Sequence, residues 1–263
     1  MVNINYDLKE IGYNILTLFA ALILWSIVSW FAQSSYFPPV SSILVAFKDL
    51  AMEGDVDGIT LGWHIWKSML RIFAGFGTAC ALGIPLGLLM GLYPKLYSGS
   101  RGIIEPIRFV PPIAWIPLSI VLLSGFSRYV FIIFIGSFFP IFIATLLSIK
   151  GINPLYIDVA RSYGAPRFYI VKKIVMPSVL PEIAAGMRIG MGFAWLSIIA
   201  AEMIGGESVG LGFLIWKYAE LISLPDIIVG MVTIGIIGFL LNEMSIRIEG
   251  TAFRWKRAVS LEK

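Results

Sequence analysis

Long apolar runs divided by short polar segments dominate this chain. A helix that crosses a bilayer needs about 20 mostly apolar residues, because each residue rises only about 1.5 Å. Gly12 to Phe31 meets that condition without a single charge. Its apolar core is longer than the roughly 7–15 residues of a secretory signal, and Asp7, Lys9 and Glu10 precede it, so it reads as a retained span. The same pattern predicts spans over 72–93, 107–124, 129–149, 186–205 and 227–246. The expectation is an all-α integral membrane protein with six transmembrane helices in one domain, residues 1–263.

Two spans carry special patterns. In 72–93, Gly83, Gly87 and Gly91 fall four apart, which puts them on one face and lets another helix approach closely. Pro85 in the same run predicts a kink. The run 107–124 is interrupted by Pro111, Pro112 and Pro117, and survives in a membrane only where protein or a wet cavity satisfies the freed backbone groups. Between the first two spans, Ala32 to Arg71 is too polar to cross. Ser41 to Met52 reads there as a short amphipathic helix on the outer surface, with Ser41 or Ser42 as N-cap.

Composition agrees with lipid as the solvent. Hydrophobic residues make up 58%, charged residues 14%, and the mean hydropathy is +0.88. Soluble chains carry about 25% charge. These values exclude a disordered chain, a disulfide-stapled secreted module and a nucleic-acid binder. One His and one Cys make a metal site of those ligands improbable, and Cys80 has no partner for an intrachain disulfide. His64, flanked by Trp63 and Trp66, reads as part of an interfacial aromatic belt.

Charge gives an orientation. With a cytoplasmic N-terminus, the inner segments hold fifteen of the 20 Lys and Arg residues, including Lys9, Arg254, Lys256, Arg257 and Lys263. Only Lys48, Lys67, Arg71, Arg128 and Lys217 fall outside, with Asp49, Glu53, Asp55 and Asp57. The positive-inside rule therefore places both termini in the cytoplasm.

The inner loop 150–182 is the most ordered polar stretch. Asn153-Pro154 opens a helix, with Asn as N-cap, Pro at the first helical position and Asp158 early in the helix, where the dipole favours an anion. That helix should run Leu155 to Tyr163 and stop at Gly164 in a left-handed cap. Pro166 opens a second helix, Arg167 to Met176, which Pro177 should end. On it Phe168, Ile170, Val171, Ile174 and Val175 share an arc, while Tyr169, Lys172 and Lys173 face away. A basic loop on lipid headgroups is the plainer reading, but such a loop does not need two punctuated helices at a fixed elbow.

The run Asp158-Val159-Ala160, three residues, Gly164, nine residues, then Ile174-Val175-Met176-Pro177 resembles the EAA motif of ABC importer permeases. The spacing matches throughout; Asp158, Val159 and Met176 depart conservatively from Glu, Ala and Leu. Arg108-Phe109-Val110-Pro111-Pro112-Ile113-Ala114-Trp115-Ile116-Pro117, Phe37-Pro38-Pro39, Gly186-Met187-Arg188 and Ala200-Ala201-Glu202 resemble permeases for taurine, aliphatic sulfonates, nitrate and bicarbonate. The resemblance implies the type I importer permease fold. It also implies a cell-membrane subunit acting with a second copy of itself, two cytoplasmic ABC ATPase subunits and an extracytoplasmic substrate-binding protein. The substrate it implies is a small oxyanion, taurine or an aliphatic sulfonate first, with nitrate or bicarbonate as the alternative. No G-x-x-x-x-G-K-[ST] loop occurs, so the chain is no ATPase; ATP and magnesium belong to the partner, and this chain is expected to bind no cofactor.

The resemblance assigns ATPase coupling to Asp158, Val159, Ala160, Arg161, Gly164, Ile174 and Pro177. Candidates for the translocation pathway are Arg108, Pro111, Pro112, Trp115, Pro117 and Glu202. The prolines and Trp115 fit a pathway-lining break or a kinked packing element equally. Arg108 fits either an anion contact or a snorkelling cation at the inner edge. Glu202 is an ionisable group at membrane depth or at the outer interface beside Gly205-Gly206, as a gate or a binding-protein contact. Arg188 on the same span is 14 residues away, about 21 Å along a helix, so the two cannot pair. An ion-coupled carrier would need more mid-span ionisable groups than Glu202.

Overall fold

The structure, a computed structural model, describes residues 8–34 and 36–253, with side chains from Gly12. Among the described residues, five helices are long and apolar enough to cross a membrane: Gly12–Ala32, Leu61–Leu92, Phe126–Lys150, Arg167–Ile204 and Leu224–Ala252. Two further helices, bent by 87° to one another, are together long and apolar enough to make a sixth if they form one span. The chain groups into two compact units. One holds the described residues up to Lys67 with Ser208–Ile236; the other holds Ser68–Glu207 with the described residues from Ile237 on. The basic residues Arg254, Lys256, Arg257 and Lys263, and both chain ends, lie outside the described residues.

In the first unit, α1 (Leu8–Ala32) leaves nearly every described side chain uncovered, as a helix facing lipid does. It is tied to the following segment by Trp25, whose indole N–H donates to Pro38 O at 3.0 Å and whose ring stacks on Phe37, and by Ser29, which donates to Phe37 O. The amphipathic helix α2 (Val40–Met52) buries Ala46 and Leu50. Its N-cap is Pro39, with no side-chain bond, rather than Ser41 or Ser42; Ser42 Oγ instead donates to Pro39 O at 2.8 Å. α10 (Leu211–Glu220), which the hydropathy pattern did not single out, buries Leu211, Leu214 and Tyr218. It packs against the start of α11 (Leu224–Ala252), where a side chain on Gly230 would collide with Ile215.

A polar clamp holds the segment after α2. Asp55 Oδ1 accepts the backbone N–H groups of Asp57 and Ile59, and its Oδ2 accepts from Lys217 Nζ at 2.9 Å; Lys217 also bonds Asp57. His64, at the start of α3 (Leu61–Leu92), is fully buried rather than part of an aromatic belt. Its Nδ1 lies 3.0 Å from Gly210 N and 3.1 Å from Gly210 O, and its Nε2 lies 3.5 Å from Asp55 Oδ2. Trp63 and Trp66 do face outward.

The second unit is built on α3 from Ser68 on, α6 (Phe126–Lys150) and α9 (Met176–Ile204). α3 begins well before the predicted span, because its first turns carry His64, Lys67 and Arg71 on the same helix; Pro85 is accommodated inside it. Glycines set the approach of α3 to α6. A Cβ on Gly87 would sit 2.7 Å from Thr145 Cβ, and one on Gly91 2.6 Å from Ile149 Cδ1; Gly83 has ordinary contact room at 3.4 Å, and Gly75 extends the same stripe against Ile133. Gly136, Gly186 and Gly190 do the same where α6 meets α9, against Ser197, Ala144 and Ile141. Close backbone approach of this kind is how helices gain contact when lipid is as apolar as the partner.

Two proline-rich stretches depart from the sequence expectation. The predicted span 107–124 is not one helix. α4 (Pro94–Arg108) ends at Arg108, the chain breaks through Phe109–Pro111, and a 3₁₀ turn (Pro112–Trp115) leads into α5 (Ile116–Leu122). Conversely, Pro177 does not end a helix. α8 (Arg167–Ile170), a π turn (Val171–Val175) and α9 run on as one helix of 38 residues. The wider i→i+5 pattern re-registers the bonds ahead of the missing N–H, and Ser178 Oγ takes up Ile174 O at 2.7 Å.

Two outcomes test this packing. Gly87→Val should lower stability in detergent by about 1–3 kcal/mol, whereas Gly77→Val, at a position with nothing within 4 Å, should leave it unchanged; thermal unfolding of the purified protein measures both. Burial pushes the Asp55 carboxyl up, but the bonds from Lys217, Ile59 and Asp57 outweigh it and hold the pKa below its usual value. Burial lowers the Lys217 pKa, and the bonds to Asp57 and Asp55 more than reverse that. The clamp is therefore complete across neutral pH, is lost as pH falls through the lowered Asp55 pKa, and is lost again as pH rises through the raised Lys217 pKa. Hydrogen exchange at the Asp57 and Ile59 amides should stay slow at neutral pH, and Lys217→Met should speed it there.

Candidate functional site

At one end of the second unit, α7 (Pro154–Ser162) forms the elbow that the sequence predicted. Asn153 Oδ1 accepts Leu155 N–H at 3.0 Å, and Pro154 occupies the first helical position. After the C-cap Tyr163, Gly164 has φ +75°. Gly164 N–H donates to Arg161 O at 2.8 Å and Ala165 N–H to Ala160 O at 3.0 Å. That bond pair is the Schellman arrangement, which needs a residue comfortable in the left-handed region where Gly164 stands.

The elbow is seated on an apolar core. Ile170, Val175, Val179 and Ile183 are buried, and Ala160, Ala165, Ile157 and Ile174 pack against them with Leu88 and Leu92 of α3. Of the coupling candidates, Ala160 and Ile174 thus face inward. Asp158 and Arg161 are exposed and face each other at 3.7 Å, and Val159 and Pro177 are also exposed. Phe168 is 75% exposed instead of joining the inner arc, since the elbow turns its side of α8 to solvent. With Leu155, Tyr156, Val159 and Tyr163 it leaves an uncovered apolar surface on the knob. A groove of about 590 Å³ lies beside the start of α7, lined by Asn153, Tyr156, Ser178, Glu182 and Ile189 among others.

Glu202 is at the far end of α9 and is 1% exposed. It is not a bare carboxylate at an interface. Arg71 Nη1 of α3 donates to its Oε1 at 2.7 Å, and Ser68 Oγ lies 2.8 Å from both carboxylate oxygens. Arg71 Nη2 also pairs with Glu207, while its guanidinium lies 4.0 Å from the centre of the Tyr129 ring. Tyr129 Oη accepts Glu207 N–H at 3.2 Å, and Arg128 Nη1 donates to Gly205 O. Reading along the chain missed Arg71, Ser68, Tyr129 and Glu207. The signal lay in two helices, as an Arg and a Glu each placed where an unpaired charge is expensive. Arg188 pairs at 3.7 Å with Glu249 of α11.

The remaining pathway candidates line the broken segment. Arg108 is held by Glu105 at 3.1 Å and lies over Phe109. Pro111 is the extended residue of the break, Pro112 and Trp115 form the 3₁₀ turn, and Pro117 opens α5. The Trp115 ring meets Phe131 edge-on at 6.2 Å. Its buried indole N–H has no hydrogen-bond partner among the described residues. α4 starts at the α7 end, where Lys150 lies over Tyr97, and Leu123 O at the close of α5 accepts from Arg128, which also holds Gly205 at the opposite end. The bent pair therefore traverses the unit.

Residues 83–248 match the family "Binding-protein-dependent transport system inner membrane component". An ABC transporter permease protein of Methanocaldococcus jannaschii is 34% identical over 97% of this chain and 96% of its own length. The taurine transport system permease of Escherichia coli K12 is 32% identical over 89% of this chain and 86% of its own, and the nitrate import permease of Leptolyngbya laminosa is 35% identical over 70% and 66%. In fold, the chain resembles a chain of the inward-facing MetNI methionine ABC transporter, with a TM-score of 0.62 at 20% identity over 72% of this chain and 94% of that one. The chain belongs to the binding-protein-dependent inner membrane component family, as a multi-span permease of the type I ABC importers.

Proposed function

We propose that this chain is the membrane subunit of an importer for a small oxyanion, taurine or an aliphatic sulfonate, and that it works as a pair of copies. Two cytoplasmic ABC ATPase subunits bind the ATP and magnesium, and an extracytoplasmic binding protein delivers the substrate. The elbow end of the second unit lies in the cytoplasm, as do both chain termini, and the Glu202 end faces outward. The observation that carries the reading is the doubly capped elbow at Asn153–Gly164 with its uncovered apolar surface. A lever must be stiff, because nucleotide-driven closure has to displace the spans rather than be absorbed in a loop.

In this reading Asp158, Val159 and Arg161 meet the ATPase, and Ala160 and Ile174 pass the displacement into the core beneath. Gly164 and the Pro177 region hold the elbow's angle. The loaded binding protein docks outside, ATP draws the ATPases together, and the cavity between two copies changes from inward to outward facing. Arg108, Pro111, Pro112, Trp115 and Pro117 line the route; the unpartnered Trp115 N–H supports an anion's passage there. Nitrate or bicarbonate is the second reading, favoured by the nitrate import relative. An ion-coupled carrier is disfavoured by the engagement of Glu202 with Arg71, which leaves it occupied as a counter-ion.

Co-purification with an ABC ATPase, followed by uptake in proteoliposomes with the binding protein, tests the assignment; competition between labelled taurine and nitrate tests the substrate. Holding a β-branched residue in the left-handed region costs about 1–2 kcal/mol. Gly164→Val should therefore cut substrate-stimulated ATPase and uptake roughly tenfold while membrane insertion persists. Wild-type uptake in that variant would remove the lever.

A further inference from the structure

The charged cluster at the outer end of the second unit is built asymmetrically. Arg71 and Glu202 stand on α3 and α9 and are 2% and 1% exposed. Glu207 stands in the non-helical run after Ile204, beside Gly206 at φ +79°, and its side chain is 37% exposed. The two arms of Arg71 therefore differ in kind. Parting it from Glu202 strands a carboxylate inside the protein, which is strongly unfavourable. Parting it from Glu207 leaves Arg71 still paired at 2.7 Å and still over the Tyr129 ring, while Glu207 meets water. The cluster can open at one joint without burying an unpaired charge.

What that joint controls follows from α9. The helix that carries Glu202 runs unbroken from Arg167 to Ile204, 38 residues or about 57 Å, and its other end is the coupling elbow. Gly205 and Glu207, just past its outer end, are tied to α6 by Arg128 and Tyr129. We propose that the Arg71–Glu207 pair is a latch on the outer end of α9: docking of the loaded binding protein on the exposed loop releases Glu207, and α9 carries that release to the coupling elbow. The inference rests on the importer reading above. It names Glu207 as the moving arm, Arg71–Glu202 as the fixed one, and Tyr129 as the residue that positions the loop.

The test uses the whole complex, permease with its ATPase in proteoliposomes, without and with the binding protein. Glu207→Gln keeps the shape and removes the charge. Basal ATPase without binding protein should rise roughly fivefold, the scale of a partly exposed ion pair, and the further stimulation by binding protein should shrink. Tyr129→Phe, which changes no charge and frees only the loop tether, should move basal ATPase the same way by less; it decides the matter if Glu207→Gln fails to assemble. Wild-type basal rates in assembled variants would overturn the latch, as would loss of all ATPase activity in Glu207→Gln, since a released latch cannot silence the enzyme. A second readout needs no ATPase. A cysteine placed by Ala201→Cys, at a site 1% exposed, should react with a membrane-impermeant maleimide faster in the Glu207→Gln background. If the wild-type complex shows no ATPase partner, the importer reading fails and this labelling rate judges the latch alone: faster supports it, unchanged overturns it.

Discussion

With lipid as solvent, apolar side chains gain nothing by leaving it, so the second unit depends on contact at backbone range among α3, α6 and α9. Gly75, Gly87 and Gly91 bring α3 onto α6; Gly136, Gly186 and Gly190 bring α6 onto α9. The seat of the elbow, with Leu88 and Leu92 on one side and Val179 and Ile183 on the other, exists because those helices meet closely there. The Arg71–Glu202 pair exists for the same reason at the other end. One packing mode thus positions both ends of the same helix bundle, and it does so without a hydrophobic driving force between the helices.

Prolines in this fold act according to what surrounds them. Pro111 and Pro112 lie where α4 has just ended, and the chain turns by 87°. Pro177 lies after a π turn that has already shifted the bonding register, and the helix continues through it and through the buried Pro181. The rule that proline ends a helix assumes the i→i−4 ladder on its N-terminal side. Where that ladder is already widened, the assumption fails, and the 38-residue helix from Arg167 becomes possible.

That distinction also explains how much was legible in the sequence. The elbow at Asn153–Gly164 was readable because caps are local: a side chain, a proline and a glycine act on backbone groups within a few residues. The glycine face of α3 and the number of crossings were readable from periodicity and hydropathy for the same reason. Glu202 was visible as costly, yet its partner Arg71 is 131 positions away and stood beyond the predicted start of α3. His64 read as a belt residue because its neighbours are tryptophans, while the bond that defines it comes from Gly210, 146 positions on. Phe168 failed for a third reason. Its helical arc was right in outline, but the core it was expected to join ends at Ile170, so the first turn of α8 stands clear.

The Arg71–Glu202 pair also bears on how the chain is made. Synthesis proceeds from the N-terminus, so Arg71 emerges long before Glu202 exists. At about 5–20 residues per second the interval is roughly 7–26 s. During it the guanidinium has no carboxylate from α9, and a lone cation in hydrocarbon is costly. Arg71 lies near the start of α3, with a long apolar stem that lets its head reach the lipid headgroups. The contact that seats the start of α3 against α9 can therefore form only after residue 202 has been made.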